Sequence, residues 1–407
     1  MRCEIIIVGD EVLLGRVVDT NSALIAQRLE KIGISVSRVI RVGDDKEAIK
    51  RALAGALVLS RLIFVAGGFG PTPDDKTLDA VCELLERKVL MHEPTLKRIS
   101  AFFEKRGLRM PEMAKRQALV PEGAAVFENP LGMVPGMVLE HQGGTVVLLP
   151  GVPQELEVLL DRGVLEHLKA RFAPEKVYHS ILKTFGVIES RVAPKVIRTV
   201  KKYPLVSVGF YPSVLGVDLL FSGRDEEMVN ACADDVAGFL KERVYAREEK
   251  SLAEVVGGIL KEKGLTLATA ESCTGGLVGD LLTNVPGSSE YYLGGVVAYS
   301  NRIKMKVLGV RERTLENFGA VSAQCVREMA LGVCRVIGAD AGIAVSGIAG
   351  PGGGTKEKPV GLVYIGVAFK NRVKIERRIF SGTRRIIKER SGYGALDLLR
   401  RVLTKGL

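Results

Sequence analysis

Strand and helix patterns alternate over the first ~170 residues of this 407-residue chain, and that alternation limits the fold more than any other feature. The apolar run Cys3–Val8 reads as a strand, Ser22–Lys31 as a helix ended by Gly33, and Ile34–Val42 as a second strand. Lys46–Leu59 reads as a second helix and Leu62–Ala66 as a third strand. A βαβαβ order predicts a mostly parallel sheet with helices on both faces, because parallel neighbours need a crossover between them. Ligands in such sheets bind beyond the carboxyl ends of the strands. Gly9-Asp10-Glu11 and the loop Gly67–Asp75 both fall there. Val146–Leu149 reads as a late strand, followed by Pro150-Gly151-Val152-Pro153 and a helix from near Gln154.

Length predicts two or three domains. Hydrophobic residues make up 47% and charged residues 26%, the balance of a folded chain, not a disordered one. No apolar run reaches the roughly 20 residues that span a bilayer. A strand starting at the N-terminus leaves no room for a signal peptide. Six cysteines without a C-x-x-C pair, and four histidines, argue against a disulfide framework or a Cys/His zinc site and for a cytosolic protein. The net charge of +11 is unevenly placed. Residues 1–169 hold 22 basic and 23 acidic side chains, 170–250 hold 13 and 11, and 251–407 hold 23 and 13. An anionic small ligand explains that C-terminal excess as well as a polynucleotide does.

Residues ~174–250 read β-α-β-β-α, with strands His179–Phe185, Val206–Tyr211 and Val217–Phe221 and helices Ser190–Val200 and Asp225–Val244, which suits a small two-layer domain. Ser251-Leu252-Ala253-Glu254 is an S-x-x-E capping box ahead of a helix that Gly264 closes, and it opens the last domain. Strands at Leu265–Ala270, Leu293–Tyr299, Ala341–Ser346, Val360–Phe369 and Val373–Phe380 follow, with helices at Ala323–Ile337 and about Arg385–Leu403.

Three polar clusters in this last domain sit just after strands. The first is Glu271-Ser272-Cys273-Thr274-Gly275-Gly276, between a strand and the helical pattern from Leu277. Unpaired N–H groups at such a helix start can hold a phosphate or an oxyanion. The second is Tyr299-Ser300-Asn301-Arg302-Ile303-Lys304. The third runs from Ser346 through Gly350-Pro351-Gly352-Gly353-Gly354. A serine hydroxyl needs a base, and a desolvated lysine or a tyrosinate can replace histidine. All four histidines lie outside this domain. Each cluster also has a bland reading: the first as a helix cap or phosphate cradle, Cys273 as packing or as the nucleophile itself, Lys304 as a surface lysine, the glycines as a mobile loop. Their co-occurrence in one short domain favours a shared pocket.

In the N-terminal domain Asp10, Glu11, Asp74 and Asp75 supply carboxylates that suit a hard divalent ion bridging a diphosphate, and Gly67, Gly68 and Gly70 allow close backbone approach. The alternative is that Asp74 or Asp75 caps a helix starting near Lys76.

These motifs carry a resemblance to the CinA (competence/damage-inducible) family along essentially the whole chain. Gly9–Gly15, Thr20-Asn21, Gly67–Asp75, Asn129-Pro130 and Leu149–Pro153 resemble the MoaB/MogA type of molybdopterin-binding fold. The middle segment resembles a KH-like spacer without its G-x-x-G. Ala270–Gly276, Val285–Ser289, Gly294–Asn301, Lys304 and Ser346–Gly354 resemble the nicotinamide mononucleotide deamidase domain. The resemblance implies an α/β protein throughout: a mostly parallel three-layer domain over residues 1–170, a two-layer KH-like domain over 171–250 and an α/β deamidase over 251–407.

It further implies hydrolysis of nicotinamide mononucleotide without a cofactor, with Ser272 as nucleophile and Tyr299 and Lys304 assisting proton transfer. Glu271, Thr274, Gly275, Gly276, Asn301, Ser346, Gly350, Gly352 and Arg384 are the implied substrate contacts, with Arg385 open as an alternative phosphate ligand. For the N-terminal domain it implies an ADP-ribose pyrophosphatase site at Asp10, Glu11, Gly67, Gly68, Gly70, Thr72, Asp74 and Asp75. There Asp10, Asp74 and Asp75 would hold cobalt or magnesium, optionally beside a monovalent cation. A cytoplasmic homodimer acting on small nucleotides is expected, with no membrane or nucleic-acid partner. The alternatives are an N-terminal domain that only binds a pterin or nucleotide, and a non-enzymatic competence or DNA-damage accessory. Low aromatic content (5%) and the absence of a recognition-helix motif disfavour the accessory.

Overall fold

The computed structural model describes residues 2–406. The chain divides into two compact units, the first ending at Val177 and the second beginning at Tyr178.

In the first unit, β1 (Arg2–Val8), α1 (Asp10–Leu13), α2 (Asn21–Glu30), β2 (Ser35–Val42), α3 (Lys46–Leu59), β3 (Leu62–Ala66) and α4 (Thr77–Leu84) follow the expected alternation. An excursion then runs through β4 (Val89–Met91), α5 (Glu93–Glu104), β5 (Leu119–Pro121), β6 (Ala125–Phe127) and β7 (Gly136–His141). The unit ends with β8 (Gly144–Leu149), α6 (Pro153–Leu159) and α7 (Leu165–Phe172). The main sheet has the order β2-β1-β3-β8-β7-β6. Its first four strands are parallel, while β7 pairs antiparallel with β8 and β6 antiparallel with β7, so the sheet is mixed. The excursion escaped sequence reading because its strands are short and β7 lacks alternation, being buried over Gly136–Leu139. Two apolar clusters cover the two faces. One is built on Ile6, Val65 and Leu148 with Leu53 and Val81, the other on Ile5, Phe64 and Val147 with Leu29 and Leu156. Alternate residues of one strand feed opposite faces, the two-residue period of a sheet covered on both sides.

The second unit begins with a two-layer α/β segment: β9 (Tyr178–Thr184), α8 (Glu189–Val200), β10 (Ser207–Pro212), β11 (Val217–Gly223), α9 (Glu226–Leu240) and β12 (Val244–Ala246), with sheet order β10-β11-β9-β12. The expected long helix stops at Leu240, and the chain returns as the edge strand β12. Then α10 (Leu252–Glu262) starts at Ser251, whose side chain accepts from the Glu254 N–H while Glu254 accepts from the Ser251 N–H, the reciprocal box read from sequence.

The remaining elements are β13 (Leu267–Glu271), α11 (Leu277–Thr283), β14 (Tyr292–Val297), α12 (Asn301–Lys306), α13 (Glu312–Phe318), α14 (Ala323–Ile337), β15 (Ala341–Gly347), β16 (Leu362–Phe369), β17 (Arg372–Ile379) and α15 (Arg384–Lys405). Their sheet has the order β14-β13-β15-β16-β17, with β14, β13 and β15 parallel, β16 antiparallel to β15 and β17 antiparallel to β16. Helices α10 and α15 pack one face, α14 the other. Among the described residues no helix is long and apolar enough to cross a membrane.

Candidate active site

The chain leaves β13 for β14 on one side and later returns to β15 on the other, so β13 is where the strand order reverses. Its carboxyl end is the crevice position of an open α/β sheet. Ser272 follows it directly, and its N–H donates to Val345 O at 2.9 Å, fixing the serine against β15. The end of β14 delivers Ala298 and Tyr299, and Ser300 caps α12 by accepting from the Ile303 N–H. That cap directs the first turn of α12 so that Lys304 points back to the sheet.

Lys304 is 1% exposed. Its Nζ donates to Ala298 O at 2.7 Å and Tyr299 O at 3.3 Å and lies 3.1 Å from Ser272 Oγ. Burial lowers its pKa, since the charged ammonium is the form that desolvation penalises. Among the described residues no carboxylate pairs with it. A neutral amine here has two N–H groups for the two carbonyls and one lone pair for the serine proton. The Cys273 thiol takes no such part: it is 7% exposed, and burial pushes it up to about 12, which keeps it protonated.

One sequence expectation is corrected at this turn. The start of α11 is not open to an external anion, because the Glu271 carboxylate already occupies it. Oε2 accepts from the Gly276 and Val278 N–H groups at 2.9 and 3.1 Å, and Oε1 from Gly279 at 2.9 Å. Glu271 is 1% exposed and supports the turn instead of touching substrate. Gly275 and Gly276 have φ of 64° and 100°, the left-handed region that lets the chain reverse between strand and helix. The amides of Thr274 and Gly275 carry no backbone hydrogen bond among the described residues, so the turn, not the helix, is what offers free donors.

The Tyr299 phenol is not beside the serine. It accepts from Arg384 Nη2 at 3.0 Å, and only the Tyr299 carbonyl meets Lys304. The expected part in proton transfer is therefore not what the geometry offers this phenol. Arg384 also donates to Gly350 O at 2.7 Å, tying the glycine loop to the β14–α12 loop. Arg385 points away, with its side chain 89% exposed and paired to Glu389, so the structure separates the two arginines. The Ser346 hydroxyl donates to Ala320 O at 2.8 Å and is buried, a structural tie where a substrate contact was expected. Thr274 is fully buried with an unpartnered hydroxyl, while Asn301 and Gly352 are exposed at the rim. Sequence reasoning missed Lys388, whose Nζ lies 3.7 Å from where a Cβ on Gly275 would sit.

In the first unit a cavity of about 590 Å³ opens at the strand ends, lined by Gly9, Glu11, Asn21, Asp44, Gly67–Gly70, Asp74, Asp75, Pro150–Pro153 and Glu155 among others. Gly67 has φ of 101°, and a Cβ there would meet Val8 O at 2.2 Å, so glycine is required. The Asp75 carboxylate accepts from the Gly70 N–H at 2.7 Å, from the Thr72 N–H at 3.0 Å and from the Thr72 hydroxyl. It shapes the loop and caps no helix: α4 begins after Lys76 without a side-chain cap. Asp10 accepts from the Asp44 N–H at 3.2 Å. Asp10, Asp74 and Asp75 thus do not form a ready cage, and among the described residues no three His, Cys, Asp or Glu side chains are grouped to hold a metal ion. Asp44, missed in the sequence, faces this cavity from the end of β2. Its pKa is raised by burial and by Asp10, Glu11 and Asp74 nearby. Because β1 and β2 are parallel, the Gly43-Asp44 turn necessarily lies beside Gly9-Asp10, and that was the available signal.

Residues 4–170 match the family described as "Probable molybdopterin binding domain", and residues 249–403 match "CinA C-terminal domain". A "CinA-like protein" of Dictyoglomus turgidum is 39% identical over 99% of both chains, and one of Dictyoglomus thermophilum is 40% identical over 99% of both. A crystal structure of a CinA superfamily protein from Klebsiella pneumoniae is 36% identical, covering 38% of this chain and 98% of its own, with a TM-score of 0.37. The chain belongs to the CinA family.

Proposed function

We propose that the second unit hydrolyses the carboxamide of nicotinamide mononucleotide to nicotinate mononucleotide and ammonia. The observation that carries this reading is the contact of Ser272 Oγ with a buried lysine whose ammonium form is disfavoured. Neutral Lys304 takes the hydroxyl proton as Oγ attacks the amide carbon. The oxyanion that forms is assigned to the amides of Thr274 and Gly275, in the turn that follows the serine. The protonated lysine returns its proton to the departing nitrogen, which leaves as ammonia, and a water molecule then cleaves the acyl-serine by the same proton path. Every step uses groups of the chain and needs no metal. Arg384, on the rim of this site, supplies positive charge for the substrate's phosphate. The test is ammonia release from nicotinamide mononucleotide: wild-type protein should release it, and Ser272→Ala should bind the nucleotide without turnover. Full turnover in Ser272→Ala would remove this serine from the reaction.

For the first unit the cavity favours a nucleotide ligand, with glycine backbone at the place where a diphosphate would lie. We propose ADP-ribose as that ligand. Its cleavage in the presence of cobalt or magnesium is the stronger form of the proposal. The check is product analysis with each ion; binding without cleavage under every ion would leave a binding module.

A further inference from the structure

Helix α15 is 22 residues long and begins with Arg384 and Arg385, with no acidic residue in its first turn. Cations at a helix start oppose the macrodipole, and an anion there offsets the cost. Arg385 is answered by Glu389. Arg384 and Lys388 are not: among the described residues Arg384 meets only Gly350 O and the Tyr299 phenol, and Lys388 has no hydrogen-bond or ion-pair partner. Four residues apart, the two share one helix face. Arg384 reaches the loops after β14 and β15, and Lys388, half-buried, lies over the turn after β13 at Gly275. Gly275 has no side chain to shield the ammonium. The three loops that surround Ser272 are therefore bridged from one side by two uncompensated cations, while the nearer helix start, that of α11, is closed by Glu271.

We infer that Lys388 is a second contact for the substrate's phosphate, paired with Arg384, and that the pair makes the site selective for the nucleotide over the nucleoside. This rests on the deamidase reading of the second unit. A lysine is a mobile point charge and an arginine a planar fork, so together they neutralise a dianion that Arg384 alone leaves half-compensated.

The experiment is calorimetric titration of the full-length Ser272→Ala protein, with and without Lys388→Ala or Lys388→Arg, using nicotinamide mononucleotide, nicotinamide riboside and inorganic phosphate in turn. Lys388→Ala should weaken the mononucleotide about tenfold to a hundredfold, the loss expected for one charge-assisted contact. It should weaken phosphate as well and leave the riboside unchanged. Lys388→Arg should restore most of the loss. In the active enzyme Lys388→Ala should raise KM by the same factor with little change in kcat. Unchanged mononucleotide affinity would overturn the inference, and so would equal weakening of the riboside, which would make Lys388 a support for the turn. If wild-type protein binds phosphate through Lys388 but neither binds nor deamidates the mononucleotide, the substrate reading fails while the phosphate seat stands.

Discussion

In the proposed reaction Ser272 depends on the protonation state of one amine. The native pKa of Lys304 lies below its unfolded value because burial penalises the ammonium. Between those two values the unfolded chain binds more protons, so folding stability rises with pH through that window and is lowest below the native pKa. Lys304→Met removes the titrating group while keeping the stem, so at neutral pH it should raise the melting temperature, with the gap to wild type closing as pH approaches the unfolded lysine value of about 10.4. Thermal melts across pH check this. A wild-type protein more stable than the methionine variant at neutral pH would mean that the lysine is a paired structural cation. Tyr299→Phe should cost no more than about tenfold in kcat, since its phenol holds Arg384 and not the serine, whereas loss of a general base costs about a hundredfold to ten-thousandfold. The comparison is made by ammonia release at saturating substrate.

Among the elements, the sharpest constraint is the turn from β13 to α11. Glu271 accepts three backbone N–H bonds while buried, so Glu271→Gln replaces a charged acceptor with a group whose amide nitrogen cannot accept. The expected cost is about 1–3 kcal/mol, read as a fall in melting temperature, with loss of activity from the displaced serine. Ser251→Ala, which removes the capping box of α10, should cost about 1 kcal/mol and leave activity intact. The box was legible because its partners are three residues apart. Helices α3 and α14 were legible end to end because strong apolar periodicity ran between clear punctuation, and β3 because an unbroken apolar run ends at Gly67. Glu271 was not, since its partners are amides across a turn whose path only the two left-handed glycines define. The antiparallel strands β6 and β7 were missed for another reason: β6 has only three residues, and β7 is buried over its first four, so neither shows an alternating pattern.

For the whole molecule, strand order explains how much of the site could be foreseen. Ser272, Lys304 and Arg384 come from three separated segments. Arg384 came from the family resemblance with Arg385 still open, whereas the types of Ser272 and Lys304 and their places after strands were readable. Their partners were not: the phenol of Tyr299 turned to Arg384, the hydroxyl of Ser346 to Ala320, and Lys388 came over Gly275 from the last helix. The two units also predict different responses to chelation. EDTA should leave the proposed deamidation unchanged, because its nucleophile, base and oxyanion donors all belong to the chain, and should abolish any ADP-ribose cleavage. Asp75→Asn should weaken ADP-ribose binding through collapse of the Gly70–Thr72 loop that it holds. The serine–lysine pair is tested most directly by ammonia release from saturating nicotinamide mononucleotide in Lys304→Met, alongside the affinity of that variant for the nucleotide. The expected result is a loss of at least about a hundredfold in kcat with binding retained; turnover near that of wild type would contradict it.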